Sequence, residues 1–345
     1  MASITDVAKI AGVSTATVSR TFNTPALINA QTQKRVLEAA RQLNYQPRRA
    51  RLPTVSDKTS ASVLEYIGFQ FFAAEPSDAL LSNNFYASVL AGVQAEAAAF
   101  ALHLLLHTTD RHSLSQEIPK MILHRAVGGI LLVGTTDPAI LATFAQHIPK
   151  IVLVDNRDET NMYESVISDG FGGAYAATRY LLELGHRHIG FFLGEPNVPT
   201  FQDRLHGYRC AQLDAGILPD PAAVISGALV GEREAKLGSM LCSSQSPTAL
   251  IAANDDYAFV AMRVCREVSR RIPEDISLIG FDDLPHCTET YPDLTTVRVD
   301  KEYMGRLSVR RLYARLHAGN TTRLQPSICN QIPVSLIIRQ SCRAL

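Results

Sequence analysis

Apolar positions recur at helical spacing through the first forty-odd residues. From Val63 they give way to short uninterrupted runs separated by amphipathic stretches. Ile4 to Ala11 reads as a short amphipathic helix, Ala11-Gly12-Val13-Ser14 as a tight turn, and Thr15 to about Phe22 as a second helix. A third helix is predicted over Gln31 to Leu43, with Val36, Leu37, Ala40 and Leu43 on its inner face. Beyond Val63, strands are predicted at 63–72, 101–107, 127–133 and 150–154, with helices near 85–100, 114–125 and 138–147. A second set follows, with helices near 171–184, 203–215, 232–242 and 255–269 and strands at 188–193, 222–226, 248–252 and 276–281. Alternation of this kind builds parallel sheets covered on both faces, and two successive sets imply two lobes. Ala73 to Asn83 is longer than the usual connection and mostly small or polar, which suits either a lid over a pocket mouth or a tolerated insertion.

The first three helices have start and stop signals that fit together. Ser3 is placed to cap the first helix with Asp6 three residues on, Gly12 can take the positive φ that ends it, and Ser14 and Asn29 can cap the next two. With Val7, Ala8, Val13, Val18 and Phe22 inward, Thr15, Ala16, Thr17, Ser19 and Arg20 are left outside. Two short helices joined by a glycine turn, with small polar residues and one arginine on the outer face of the second, form a DNA-reading helix-turn-helix. Helical hairpins with glycine turns also occur in proteins that never meet DNA, and charge separates the two cases. The chain is neutral overall, yet residues 1–58 hold nine Lys/Arg against three acids, so the remainder carries the opposite excess. A basic head suits a phosphate backbone, and an acidic body discourages lying on it. Tyr45 is expected to pack beneath the third helix. Arg48-Arg49-Ala50-Arg51-Leu52-Pro53 leads into a polar, linker-like Thr54 to Ser60.

At 345 residues and 46% hydrophobic composition, the chain has room for a small head and a large body with a sizeable core. No apolar run approaches the length of a membrane span, and no basic, apolar leader precedes the first helix, so a cytoplasmic protein is expected. The six cysteines (210, 242, 265, 287, 329, 342) are scattered and read as free thiols; no cofactor and no metal are expected. His103 and His107 lie four apart in an apolar run and read as packing residues. Gly170-Phe171-Gly172-Gly173 lacks the lysine of a P-loop and the spacing of a dinucleotide fingerprint, which leaves close chain packing. Parallel-sheet lobes bind ligands beyond the carboxyl ends of their strands. That rule selects Phe71 and Phe72, Asp155 and Asn156, Asn254 and Asp255, Asp282 and Asp283, and Arg204 near the start of a helix after Gly194. Carboxylate, amide and guanidinium backed by an apolar wall is the set that neutral sugar hydroxyls require.

Ile4-Thr5-Asp6-Val7-Ala8-Lys9-Ile10-Ala11-Gly12-Val13-Ser14-Thr15-Ala16-Thr17-Val18-Ser19-Arg20, with Asn23 and Leu43-Asn44-Tyr45-Gln46-Pro47, resembles the head of the lactose-repressor/galactose-repressor (LacI/GalR) family. The likeness continues through Val166-Ile167-Ser168-Asp169, Leu181 to Gly190, Ile272 to Asp283 and Tyr291-Pro292-Asp293-Leu294-Thr295-Thr296-Val297. It implies a small all-α helix-turn-helix head (1–46), a hinge (47–61) and an α/β body (62–345) of two periplasmic-binding-protein-like lobes with doubly wound parallel sheets. The N-lobe would span about 62–165 and 297–325 and the C-lobe about 166–296 and 326–345, with crossing strands near 165, 295 and 325. Thr15, Ala16 and Arg20 are expected to read base edges, and Ser3, Thr17, Ser19 and Asn23 to hold phosphates. In the family the hinge forms a helix whose apolar side chain wedges the minor groove, and Leu52 is the candidate. Here the segment is about two residues shorter and Pro53 follows at once, which puts a hinge helix of normal form in doubt; phosphate contacts by Arg48, Arg49 and Arg51 do not depend on it.

The resemblance supports Asp155, Arg204, Asn254 and Asp282 as polar effector contacts, with Phe85 or Tyr86 on the floor beside Phe71 and Phe72. Asp255 and Asp283 read as structural. Where the family often carries an aromatic wall, this chain has Gly227-Ala228-Leu229, which offers no stacking face. The implied partners are a pseudo-palindromic double-stranded operator, a second copy of the chain and a small-molecule effector, most simply a sugar. The family's apolar heptad tail is missing, which favours a dimer over a tetramer. The alternative is an enzyme acting on sugars or nucleosides through cleft carboxylates, opposed by the head and by the lack of a placed nucleophile.

Overall fold

A computed structural model describes the chain except residues 1–2, 16, 19–20, 22–27, 44, 46–64, 74–79, 82, 111–117, 135–136, 159, 161, 228–229 and 319–326. It divides into two compact units, Met1–Thr59 and Ser60–Leu345. In the first, α1 (Ile4–Ala11) starts at a reciprocal cap: Asp6 N donates to Ser3 Oγ at 3.3 Å, and Ser3 N donates to Asp6 Oδ2 at 2.8 Å. Gly12 follows at φ 63°, the left-handed conformation that a Cβ disfavours. Thr15, Thr17, Val18 and Thr21 are helical, and Ser14 Oγ accepts from Thr17 N at 3.1 Å. The next helix, α2 (Ala30–Gln42), is capped by Asn29. Val7, Ala8, Ala11, Val18, Val36, Ala39 and Ala40 form the core, with Val13, Leu43 and Tyr45 against it. Leu37, expected inside, is 39% exposed, and Ala39 takes the inward position.

The second unit runs β1 (Tyr66–Ala73), α3 (Asn84–Ala99), β2 (His103–Asp110), α4 (Lys120–Leu123), β3 (Gly129–Val133), α5 (Pro138–His147), β4 (Ile151–Val154) and β5 (Glu164–Ser168). It continues with α6 (Gly170–Glu183), β6 (Ile189–Gly194), α7 (Pro199–Asp214), β7 (Val224–Ser226), α8 (Val230–Cys242), β8 (Ala249–Ala252), α9 (Asp255–Glu267) and β9 (Ser277–Asp282). β10 (Thr295–Val299), α10 (Lys301–His317), β11 (Cys329–Ile332) and β12 (Val334–Ile337) complete it. One six-stranded sheet has the order β11-β5-β4-β3-β1-β2 and is parallel throughout. The other, β12-β10-β9-β8-β6-β7, is parallel except where β12 runs against β10. Two mostly parallel sheets with helices alternating between their strands make the two lobes of a periplasmic-binding-protein-like body. The chain passes between sheets after β5, after β10 and at Pro333 between β11 and β12.

The central strands are buried from end to end, Ile151–Val154 and Ala249–Ala252 among them, which is why they read as continuous apolar runs. A seventeen-residue helix, α10, has no counterpart in the elements read from the sequence. Its buried stripe mixes Met304, Val309, Leu312 and Leu316 with Gly305 and Ser308. Those small residues let α3 and α10 approach closely: a Cβ at Gly305 would lie 2.1 Å from Val89 O, and one at Gly92 would lie 2.0 Å from Glu302 O. His103 and His107 are not packed inside but exposed on edge strand β2, where His107 Nδ1 lies 2.9 Å from Gln70 Oε1. The expected helix near 114–125 is described only from Lys120 to Leu123. No described helix is long and apolar enough to cross a membrane.

Candidate functional sites

In the head, Thr15 is exposed, two residues past a turn that Gly12 and the Ser14 cap define. Thr17 is half-buried, with its Oγ1 2.9 Å from Ser14 Oγ, and Ser3 is exposed with its hydroxyl donated to Asp6 at 2.7 Å. The expectations for Ala16, Ser19, Arg20, Asn23, Arg48, Arg49, Arg51 and Leu52, and for a hinge helix, lie outside the described residues. So does most of the insertion at 73–83.

In the body, the carboxyl ends of the two sheets bring four of the expected effector residues together. Asp155 directly follows β4 at φ 54°, an uncommon conformation for a side-chain-bearing residue, fixed by Asp155 N donating to Val166 O at 2.9 Å. Its Oδ2 accepts from the Tyr86 hydroxyl at 2.9 Å, while Oδ1 is shut off from solvent with no hydrogen-bond partner. Tyr86 stands in the first turn of α3, placed by the Asn83 cap, with its ring 4.8 Å from Phe71 and 5.1 Å from Phe85. Across the cleft, Arg204 projects from α7 and is 2% exposed. One guanidinium nitrogen donates to Ala253 O and the other to Asp282 Oδ1 at 3.1 Å. The guanidinium lies 3.7 Å over the Phe281 ring and 5.5 Å from Phe201, and its Nε is buried without a partner.

These groups perturb one another across the lobes. Burial pushes the Asp155 carboxyl up to about 6, against the pull of Arg204 and the Tyr86 hydroxyl. Burial also raises Asp282 well above the usual carboxylate range; Arg204 opposes the rise, while Asp255 and Asp155 add to it. The Tyr86 hydroxyl is driven upward by burial and by Asp155. Two buried carboxylates therefore compete for one guanidinium, and a ligand donating to Asp155 or accepting from Arg204 relieves that competition.

Three other expectations resolve differently. Phe72 points away from the cleft, its ring 6.0 Å from Phe144 in the cluster with Ile122 and Leu141, because neighbouring strand residues face opposite sides of a sheet. Of the two floor candidates, Phe85 is buried with its ring 5.1 Å from that of Tyr86, whose hydroxyl is the one that meets Asp155. The side-chain oxygen of Asn254 caps α9 by accepting from Tyr257 N at 2.9 Å. Asp255 and Asp283 are structural. Asp255 accepts from Thr296 Oγ1, Leu284 N and Cys287 Sγ, and Asp283 accepts from Arg298 and Arg339.

The sequence reading missed a group on the C-lobe wall. Phe201 and Tyr257 stand edge to face at 5.9 Å, and Arg233, 5% exposed, donates to the Tyr257 hydroxyl at 2.9 Å with Glu195 Oε1 3.9 Å away. Phe201 lies beside Arg204, and Tyr257 follows Asn254 in the first turn of α9. Helical spacing held the signal: Phe201 is three residues before Arg204, and Tyr257 is three after Asn254. Gly194, at φ 74°, leaves room for the Tyr257 ring, which a Cβ there would meet at 2.1 Å.

The comparisons agree with this build. Residues 3–48 match the family of bacterial regulatory proteins called lacI, and residues 178–342 match the periplasmic binding protein-like domain. The chain is 31% identical to the HTH-type transcriptional repressor PurR of Haemophilus influenzae over 353 aligned positions, covering 100% of both chains. Among solved structures it is similar to a transcriptional regulator CelR–cellobiose complex, with 26% identity, a TM-score of 0.71 and coverage of 99% of this chain and 100% of that one. It shares its fold with the lac repressor dimer bound to operator and the anti-inducer ONPF, at 24% identity, a TM-score of 0.69 and 99% coverage of each. A helix-turn-helix head joined to a two-lobed ligand-binding body defines a DNA-binding transcription regulator. The chain belongs to the lacI family of bacterial regulatory proteins; it is a transcriptional repressor by its relatives, which sets aside the reading as an enzyme.

Proposed function

We propose that this protein is a cytoplasmic repressor that grips a pseudo-palindromic operator as a homodimer and whose grip is set by a small molecule in the interlobe cleft. Thr15, Ala16 and Arg20 read base edges; Ser3, Thr17, Ser19, Asn23, Arg48, Arg49 and Arg51 hold phosphates; and Leu52 is the minor-groove wedge. The effector meets Tyr86, Asp155, Arg204, Asn254 and Asp282 against the Phe71 face. One observation carries the effector reading: Asp155 Oδ1 and Arg204 Nε are buried, polar and unpartnered on opposite sides of the same cleft. A sugar or sugar derivative fits best, since adjacent hydroxyls donate to a carboxylate and accept from a guanidinium at once. A planar nitrogen heterocycle is the second reading, favoured by the aromatic faces of Phe71, Tyr86, Phe201 and Tyr257. Binding favours one arrangement of the lobes, and operator affinity follows through linkage. A thermal-shift panel of sugars, nucleosides and purine bases tests this. One class raises the melting temperature of the wild type and not of Arg204→Ala. Equal shifts in both proteins place the ligand elsewhere.

A further inference from the structure

Among the described residues, side-chain pairs join the lobes beside the cleft at two places. On one side, Arg157 Nη2, just beyond β4, donates to Asp203 Oδ1 of α7 at 2.7 Å. On the other, Asn84 Nδ2 at the start of α3 lies 3.2 Å from His286 Nδ1, in the turn Pro285–Thr288 after β9. Each bridging residue is a near neighbour in sequence of an effector contact: Arg157 of Asp155, Asp203 of Arg204, Asn84 of Tyr86 and His286 of Asp282. The segment carrying Arg157 is stiffened from below, because Asn156 is 3% exposed and its Oδ1 accepts from Arg157 N at 2.9 Å. Asp203 is mostly enclosed, its side chain 15% exposed, while Arg157 reaches it from a position 40% exposed.

We infer that Arg157–Asp203 and Asn84–His286 are two clasps that hold the lobes together and fix the separation of Tyr86 and Asp155 from Arg204 and Asp282. They are positioning residues for the effector site, and the inference rests on the cleft reading above. Geometry gives them that role: each of the four meets its partner across the lobes, and every main-chain path from a clasp to a contact residue is four residues or fewer. Because two rigid lobes pivot as bodies, opening one clasp strains the other, and the two act as one unit. Without either, the unliganded cleft opens more often, and effector affinity falls with the fraction of closed molecules.

Amide hydrogen exchange on the full-length, unliganded protein tests this without DNA or effector, so its failure is distinguishable from failure of the functional reading. Arg157→Gln raises exchange at the opposite clasp, in segments 83–86 and 284–288, by about two- to fivefold, the population shift that loss of a partly exposed ion pair allows. Asn84→Ala raises exchange at 156–158 and 201–204 by a similar factor. The reversed pair Arg157→Asp with Asp203→Arg returns both clasps toward wild type. Exchange raised only beside the substituted residue, or a reversed pair that leaves the far clasp loose, overturns the proposal. A rise spread evenly over both sheets overturns it too, because that is general destabilisation.

Discussion

Replacing Asp155 by asparagine keeps an oxygen for the Tyr86 hydroxyl and removes the charge. In the folded protein the carboxyl is pushed up to about 6 by burial, from an ordinary value of 3.8. At about 1.4 kcal/mol per unit, the shift is worth on the order of 3 kcal/mol. Its sign follows from the raised value: the stabilising contribution is complete below the ordinary value and is lost as pH climbs through about 6. Between pH 4.5 and 7.5 the wild type thus loses about 2 kcal/mol that asparagine, which does not titrate, retains. Asp282 adds in the same direction, since the Asp155 charge is one cause of its own rise. Urea unfolding of both proteins at the two pH values isolates the difference, because all distant groups cancel. The variant gains relative to wild type on going to pH 7.5. A stability difference that stays constant with pH within about 0.5 kcal/mol, inside the extrapolation error of such titrations, refutes the buried, competing carboxylate.

Other consequences are as direct. Arg204→Ala removes the guanidinium bound to Asp282 and proposed to meet the effector, so the effector-induced change in operator affinity is expected to disappear; an unaltered response in an anisotropy titration contradicts that role. Arg20→Ala costs about 1–3 kcal/mol on the specific operator and little on random duplex, read as the ratio of the two affinities at fixed salt; equal losses argue against base reading. Gly305→Ala forces a methyl to within 2.1 Å of Val89 O and destabilises the body by about 1–3 kcal/mol in chemical denaturation, whereas an unchanged midpoint shows that α3 and α10 do not meet there.

What the sequence disclosed and what it hid divide along physical lines. Strands buried on both faces announce themselves as unbroken apolar runs, and Asp6 or Asn29 at a helix start declares a cap, so lobes and head were legible. Helix α10 was not, because it packs by closeness: Gly305 and Ser308 occupy its inner stripe, and a hydrophobic period does not register them. Strand ends were read too generously at Phe71 and Phe72, where alternation allows only one ring to face the cleft. Asp155 and Asp282 could be singled out because a strand's carboxyl end is a topological position visible in order alone, and Arg204 because it lies near the start of the helix that follows β6. Phe201 and Tyr257 were within reach of helical spacing, whereas Arg233 and the clasp residues depend on how one lobe meets the other or how loops return, which spacing along a single chain does not encode.

The central claim, a DNA reader governed by its cleft, is tested most directly by titrating one labelled duplex. The operator is the pseudo-palindrome enriched from genomic fragments by the purified protein, with random duplex as reference, at one salt concentration. The titration is run with and without the compound that most raises the melting temperature. The account predicts at least a thousandfold preference for the operator, in the usual range of about 10³–10⁷, and a preference that shifts severalfold when the compound is added. Equal affinity for both duplexes, unchanged by that compound, would contradict it.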